Sequence, residues 1–293
     1  MLDRIALLLL LSAATAGARA GTPIDETRPG QAGMHLRVES VAGSVRLTPG
    51  SDSQVVIRGT LGDGSKPLRI DGDGSRLSIQ VEAESNGWGS RMAPSTLEIE
   101  VPSTARVEIN TVSADVGVSG IGGSEARIET VSGAIDYRGS GERVRLKTVS
   151  GRIHGEGSGR HWTVGSVSGS ITMPEASGEL DVESISGTID VAFRPASRVH
   201  VETVSGRIEA TGVLADGGDI DMQSVSGALN LRLSGQTDAR IQAKTFSGKV
   251  ESDFGTVERG GFGGGYSLDT RVGSGAGTVR VESFSGKVTI RGN

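Results

Sequence analysis

An eight-residue pattern, V-x-[ST]-[VIF]-S-G-x-[IVL], recurs through most of the chain and constrains its fold more than any other feature. "VETVSGRIEA" at 201–210 is one clear copy, and "VESFSGKVTI" at 281–290 is the last. The glycines of the Ser-Gly pairs fall at positions 133, 151, 169, 187, 206, 227, 248 and 286, and weaker copies lie at 38–47 and 109–118. A fixed short period is typical of architectures in which each repeat is one unit stacked on the next.

Each repeat consists of two alternating segments joined by a corner. In residues 201–203 and 207–210, apolar and polar residues alternate, as in a strand with one buried face. β-Branched residues, which favour strands, dominate the apolar positions, and no segment shows a helical period. The chain is therefore predicted to be all-β: a single-stranded parallel β-solenoid whose coils are about 18–21 residues long, the spacing of most of the glycines.

The repeat positions have distinct structural roles in such a coil. Val201 and Ile208 are predicted to point inward and to stack on their equivalents as aliphatic columns. Thr203 belongs to a column of hydroxyls, Thr130, Thr148, Ser166, Ser184, Thr203, Ser224, Thr245 and Ser283, which we expect to hydrogen-bond one another across neighbouring coils. Gly206 is expected to supply a positive φ at a tight corner, and Ser205 to bond local backbone groups.

The regions outside the clear repeats divide the chain. Arg4, the apolar run at 5–11 and the Ala18-Arg19-Ala20 end predict a signal peptide over 1–20, with a buried N-terminal helix as the alternative. Residues 21–105 are predicted to form an N-terminal β-strand cap continuous with the solenoid at 106–293. A loop carrying Trp88 is expected at 85–95, and a degenerate coil with a protruding Gly-rich loop at 257–277.

Composition limits the compartment and the partners. An exported chain would lie in the periplasm or at the cell surface, yet it contains no cysteine, so burial and hydrogen bonds must stabilise it. Without residues 1–20 it carries 28 basic and 34 acidic residues, a balance that argues against nucleic acid, which requires a concentrated basic face. No stretch beyond the leader reaches the roughly 20 apolar residues of a transmembrane helix.

The recurring serine is not expected to be catalytic. A nucleophile needs a base within hydrogen-bond reach, whereas Ser205 recurs in every clear copy and no histidine recurs with it. The chain has four histidines, His35, His154, His161 and His200. We predict no catalytic, cofactor-binding or metal-binding residue and no cofactor.

Two other patterns have the residue types that catalysis or calcium binding needs. Asp190 and Glu209 would lie outward on adjacent coils, near the roughly 5 Å carboxyl separation of retaining glycosidases, so a polysaccharide-active β-helix enzyme is the alternative function. "DGDGSRLSIQVE" places Asp71, Asp73 and Glu82 with an EF-hand-like spacing, but Arg76 replaces the required glycine. A hairpin turn explains that segment better.

Mixed polar residues form two outward columns beside the corner. One contains Glu129, Lys147, Gly165, Glu183, Glu202, Gln223, Lys244 and Glu282; the other contains Ala134, Arg152, Ser170, Thr188, Arg207, Ala228, Lys249 and Lys287. They are the ordinary soluble surface of a solenoid or, alternatively, a face that binds an extended glycan or an envelope protein. The oligomeric state does not follow from this pattern.

The array resembles the putative-adhesin β-strand repeat family of unknown function and is similar to the head domain of putative autotransporter adhesins. The resemblance rests on the recurrent coils, on the segment "IDETRPGQAGMHLRVESVAGSVRLTPG" and on "STLEIEVPSTARVEINTVSADVGVSG". It implies a right-handed β-helix and supplies no catalytic or ligand residue. The predicted function is an exported, non-catalytic adhesin-like protein or envelope scaffold that binds a ligand.

Overall fold

A computed structural model describes residues 21–84, 92–260 and 264–292. The predicted signal peptide and Trp88 lie outside these residues. The described part is all-β. Its strands, β1 to β20 in chain order, are Thr22–Pro29, His35–Pro49, Gln54–Leu61, Arg69–Gly72, Arg76–Val81, Ser95–Val101, Arg106–Ser119, Glu125–Thr130, Ile135–Thr148, Ile153–Ser166, Ile171–Ser184, Ile189–Thr203, Ile208–Ser224, Leu229–Leu233, Ala239–Thr245, Lys249–Ser252, Glu258–Arg259, Tyr266–Val272, Gly277–Ser283 and Lys287–Gly292.

The central strands confirm the solenoid. Each repeat forms one long bent strand that starts after one Ser-Gly corner and ends at the next, as β10, β11, β12 and β13 do. Successive strands are parallel, and equivalent residues lie side by side: Ile153 pairs with Ile171, Ile171 with Ile189 and Ile189 with Ile208. The described sheet is a single, mostly parallel one with 20 strands, which is the predicted fold class.

The core consists of the predicted aliphatic columns. Val201 and Ile208 are fully buried, as are their equivalents in neighbouring coils. Two large aromatic side chains extend this core, Tyr137 and Trp162, whose rings meet edge to face with centroids 5.7 Å apart. Each coil pairs with a coil on either side, and its inward side chains pack on theirs. The core is therefore continuous along the rod.

The buried hydroxyl column has a role different from the one predicted. In each clear corner the Ser or Thr hydroxyl accepts a hydrogen bond from the backbone N–H of the glycine three residues later, as Thr203 does from Gly206 at 3.0 Å. The eight bonds of this kind are 2.6–3.1 Å long. Within this column of the described chain, hydroxyls bond each other only at Thr111 and Thr130. The expectation of a cross-coil hydroxyl ladder is therefore wrong, because each hydroxyl closes its own corner.

The corner glycine is required for packing rather than for its backbone angle. None of the eight corner glycines has a positive φ, so the predicted reason for Gly206 is wrong. A Cβ at Gly206 would lie 2.7 Å from the hydroxyl oxygen of Thr203 and closer still to the carbonyl oxygen of Gly187 in the preceding coil. Glycine is thus the residue that lets adjacent corners approach within hydrogen-bonding distance.

The N-terminal end of the rod is closed by antiparallel strands. β2 lies between β7 on one side and β5 and β6 on the other, and all these pairs are parallel. Outside them, β3 runs antiparallel to β6, β4 antiparallel to β5, and β1 antiparallel to β3. This arrangement covers the polar edge of the outermost coil. The division at residue 105 remains a prediction.

The C-terminal end departs from sequential stacking. β19 lies between β13 and β15, and β20 lies between β14 and β16. The last repeat is therefore inserted before the repeat that precedes it in sequence. β18 runs antiparallel to β15 and closes the rod, so Tyr266–Val272 is a closing strand rather than part of the degenerate coil that was expected. Residues 261–263 of the expected Gly-rich loop lie outside the described residues.

Candidate functional site

The exposed apolar side chains of the rod are concentrated in one column. Within the described residues, every large apolar side chain that is exposed occupies the [VIF] position of the repeat, between the hydroxyl residue and the corner serine. Exposure ranges from 41% at Val167 to 59% at Phe246. We call this column the apolar stripe. In order along the rod its members are Val112, Val131, Val149, Val167, Ile185, Val204, Val225, Phe284 and Phe246.

The corner itself does not require an apolar side chain at this position. The backbone carbonyl of Ile185 accepts a hydrogen bond from the N–H of Ser205 in the next coil at 2.9 Å, and the Ser205 hydroxyl lies 3.4 Å from the same oxygen. The side chain of Ile185 takes part in neither bond. Backbone groups and the corner serine thus hold the corner together. A polar residue at the position of Ile185 would keep the same hydrogen bonds and would expose no apolar surface.

The insertion of the last repeat brings the two aromatic members of the stripe together. Phe246 and Phe284 are 38 residues apart in sequence, yet their rings stack with centroids 5.0 Å apart and planes 9° apart. Both side chains remain more than half exposed. Offset stacking of this kind stabilises an aromatic pair, so one end of the stripe is wider and more rigid than the aliphatic remainder.

A groove runs along one side of the stripe. One section, of about 380 Å³, reaches from Lys147 to Val204. The next section, of about 370 Å³, reaches from Glu202 to the two phenylalanines. The sections share Glu202, the stripe forms one wall, the hydroxyl column forms the floor, and the column that begins at Glu129 forms the other wall.

Several charges along this groove have no ionic partner within the rod. Lys147, Lys244 and Glu183 make no salt bridge in the described chain, and Glu202 lies 3.9 Å from His200 alone. Some charges elsewhere on the surface are paired closely, for example Arg240 with Asp269 at 2.6 Å. The groove therefore combines an apolar wall with charged groups that are free to meet a partner.

The carboxylates of the alternative enzyme are adjacent, as predicted, but do not form a cleft. Asp190 pairs in register with Glu209 on the next coil, and both are exposed. Neither lines either section of the groove, and Glu209 has a nearby cation in Arg207 at 3.8 Å. The corner serine does not bond the local backbone groups that were expected: the Ser205 hydroxyl lies 3.4 Å from the carbonyl oxygen of Ile185 in the preceding coil. Each of the four histidines faces a carboxylate: Glu108 for His35, Glu156 for His154, Glu179 for His161, and Glu202 and Asp221 for His200.

The segment with EF-hand-like spacing is the hairpin of β4 and β5. Asp73 accepts hydrogen bonds from the N–H and hydroxyl of Ser75 and from the N–H of Arg76. These bonds, led by that from the Ser75 hydroxyl, hold the pKa of Asp73 below its usual value. Glu82, the last ligand in the calcium count, is 2.6 Å from Lys66, so the carboxylates serve the turn and an ion pair.

Fold and surface together define a class of protein: a parallel β-solenoid closed at both ends by antiparallel strands, with an apolar stripe on one corner. The chain belongs to the Toastrack DUF4097 family, whose model matches residues 34–291. This finding confirms the resemblance noted from the sequence, to an adhesin-like repeat family of unknown function.

Comparison with solved structures finds similar chains, of which the first has this fold. A protein described as a putative adhesin from Parabacteroides distasonis is 13% identical, with a TM-score of 0.54, over 93% of this chain and 98% of its own. A putative lipid binding protein from the same species is 17% identical (TM-score 0.37, coverage 93% and 97%). A putative adhesin from Bacteroides fragilis is 14% identical (TM-score 0.40, coverage 93% and 97%). No curated protein matches the chain. The described residues contain no helix able to cross a bilayer.

Proposed function

We propose that this protein is an exported, non-catalytic interaction protein, adhesin-like or an envelope scaffold, that docks another protein on its apolar stripe. The observation that carries the proposal is the stripe itself: nine exposed apolar side chains at one repeat position, with the other large apolar side chains of the described chain kept from full exposure. Contiguous apolar surface of this kind marks an interaction site in soluble proteins.

The chemistry of the stripe favours a protein partner over a glycan. Seven of its nine members are Val or Ile, whereas sugars are bound by exposed aromatic faces and hydrogen-bonding side chains. The stripe is also linear, extending for about 38 Å if its nine members follow the strand spacing of about 4.8 Å. An elongated protein surface with its own apolar row could contact it along this whole length.

Export is supported by the basic and apolar composition of residues 1–20, which places the rod in the periplasm or at the cell surface. The adhesin description of the Parabacteroides distasonis protein, which has the same fold, agrees with a binding role. The exposed pair Asp190 and Glu209 lies away from the groove, so the groove does not supply a substrate site for the polysaccharide-active enzyme.

Site-specific photocrosslinking in the producing cells tests the docking surface. A benzophenone amino acid at Val167, in the middle of the stripe, should yield a discrete protein adduct. The same group at Asp190, exposed on another face, is the matched control and should yield none. An additional Val149→Lys substitution should abolish the Val167 adduct, because a lysine would place a charge in the dry centre of the contact.

Two results would contradict the proposal: equal adducts from both positions, or no adduct from Val167 while the protein is folded and exported. Circular dichroism of the purified variants establishes the folded state. Hydrolysis of a polysaccharide that is lost on Asp190→Asn would favour the enzyme instead.

A further inference from the structure

We infer that the protein docked on the apolar stripe is a second copy of this chain, packed face to face with its rod antiparallel to the first. The inference rests on the proposed function, since it names the partner of the same surface. Period, shape and charge each support it.

The repeat spacing is the first argument. The stripe places one apolar side chain on each coil at the strand spacing of about 4.8 Å. A partner that contacts many successive coils must present side chains at the same spacing, or the two rows lose register after a few steps. A second copy has that spacing by construction, and two rows of identical spacing stay in register along their full length.

The shape of the rows selects one alignment. Val41, on the first coil, is half-buried at the same repeat position and extends the stripe to ten members. In an antiparallel pair with its two-fold axis between the coils of Val167 and Ile185, Phe246 of one copy opposes Val41 of the other. Phe284 then opposes Val112, so each large ring meets a small side chain.

Charge complementarity supports the same alignment. With a two-fold axis of this kind, the column that begins at Glu129 faces the same column of the other copy, with the order of the coils reversed. Lys147 then lies opposite Glu202 of the other copy, and the pair occurs twice by symmetry. Lys147 has no ionic partner in the described chain, and Glu202 has a distant one. Each would gain a partner in the dimer.

The remaining positions of this column agree with the alignment. Lys244 opposes Glu39, and Glu183 opposes Gly165, which leaves room for its side chain. On the other side of the stripe Asp115 opposes Lys287, which also pairs with Glu251 of its own chain at 2.8 Å. One like-charged pair occurs there, Arg152 with Arg207; this pair is also present twice by symmetry, and Arg207 has its own Glu209 at 3.8 Å.

A parallel pair would bring like charges together instead. In a parallel pair the two-fold axis runs along the rods. The column that begins at Glu129 in one copy then faces the column that begins at Ala134 in the other copy, coil by coil. Lys147 would then face Arg152, and Lys244 would face Lys249. Glu202 would face Arg207 and Glu282 would face Lys287, so this arrangement has as many attractive pairs as repulsive ones. The antiparallel arrangement has three attractive pairs and one repulsive pair.

The contact is large enough for a stable dimer. Ten coils at about 4.8 Å span about 43 Å, and the stripe with its flanking columns is roughly 15–20 Å wide. Each copy would bury on the order of 650–850 Å², close to the roughly 800 Å² per partner of a standard interface.

Sedimentation equilibrium of the whole chain with charge-swap variants tests the inference. The chain should be a dimer at protein concentrations of about 1–100 μM. Lys147→Glu and Glu202→Lys, each alone, should raise the dimer dissociation constant at least tenfold, because each turns two attractive pairs into repulsive ones. The double variant Lys147→Glu/Glu202→Lys should return it to within about threefold of the unsubstituted chain.

Arg160→Glu is the matched control. It makes the same change of charge on an exposed residue away from the stripe and should leave the dissociation constant unchanged. A chain that stays monomeric throughout, single variants that behave like Arg160→Glu, or a double variant that does not recover would each overturn the inference. A Val167 photoadduct with a different protein would overturn it too, yet would uphold the stripe as the docking surface. Absence of any stripe-specific adduct would remove the proposed function itself.

Discussion

Replacing Gly206 by alanine tests the corner packing with the smallest possible side chain. The added methyl carbon would lie 2.7 Å from the Thr203 hydroxyl oxygen and closer to the carbonyl oxygen of Gly187. Non-bonded carbon and oxygen atoms require more than 3 Å, so the two corners must separate by roughly 1 Å. The cause is steric and does not depend on φ, which alanine can adopt here.

The cost follows from the hydrogen bonds that such a shift disrupts. The N–H of Ser205 donates to the carbonyl of Ile185 at 2.9 Å, and the N–H of Gly206 donates to the hydroxyl of Thr203 at 3.0 Å. A displacement of roughly 1 Å would break the first and strain the second, at about 1 kcal/mol each. With about 1–2 kcal/mol of overpacking, the unfolding free energy should fall by about 3–4 kcal/mol.

Thermal unfolding followed by circular dichroism measures this loss. For a chain of this size, about 3–4 kcal/mol corresponds to a midpoint lowered by roughly 6–16 °C. Gly117→Ala is the control, because a Cβ at Gly117 meets no atom within 4 Å and its φ is not positive. That variant should unfold within about 2 °C of the unsubstituted chain. Equal midpoints for Gly206→Ala and Gly117→Ala would refute the packing role of the corner glycine.

Substitutions at two further positions, Thr203 and Tyr137, test the buried polar groups. Thr203→Val leaves the N–H of Gly206 without its acceptor and should cost about 1–3 kcal/mol in urea denaturation, whereas Thr203→Ser, the residue found at this repeat position in four other coils, should cost less than about 1 kcal/mol. Burial raises the pKa of Tyr137 to about 12, so the folded chain should be stabilised below pH 10 and should lose up to about 2.7 kcal/mol between pH 10 and pH 12, where the unfolded tyrosine ionises and the folded one does not. Tyr137→Phe should remove this alkaline loss and Tyr266→Phe should retain it; an unchanged profile for Tyr137→Phe would contradict the assignment.

The coil could be predicted from sequence because its information is local. Alternation places Val201, Thr203 and Ile208 on the inner face, and all three are buried. The chemical roles at the corner were less accessible. A hydrogen bond within one corner and a contact between neighbouring corners would both require a hydroxyl residue at 203 and a glycine at 206. The sequence alone therefore does not distinguish the two arrangements. Only the distances show that the hydroxyl closes its own turn and that the glycine is limited by Gly187.

The spatial order of the coils could not be predicted from the repeat. Repeats of similar sequence can pair in any order, because each offers nearly the same strand edges and apolar side chains to any neighbour. The order at the C-terminal end depends on the turn after β18, where Asp238 accepts bonds from the N–H of Gly275 and the hydroxyl of Ser274. This turn directs the chain into the position between β13 and β15. That placement depends on strands distant in sequence, so the local repeat pattern does not predict it.

The apolar stripe was present in the sequence but was overlooked because its members look like ordinary strand residues. The alternation that buries Val201 and Thr203 directs Val204 outward, and the same parity holds in every coil. An apolar residue at a solvent-facing position is unremarkable once, but nine occurrences in register are a continuous surface. The charges beside it follow a different rule, since Lys147 and Glu202 are three coils apart and cannot meet within one rod. Their opposite charges can attract each other only when a second rod packs with the order of its coils reversed. The charges beside the stripe therefore favour a second, antiparallel copy as the partner.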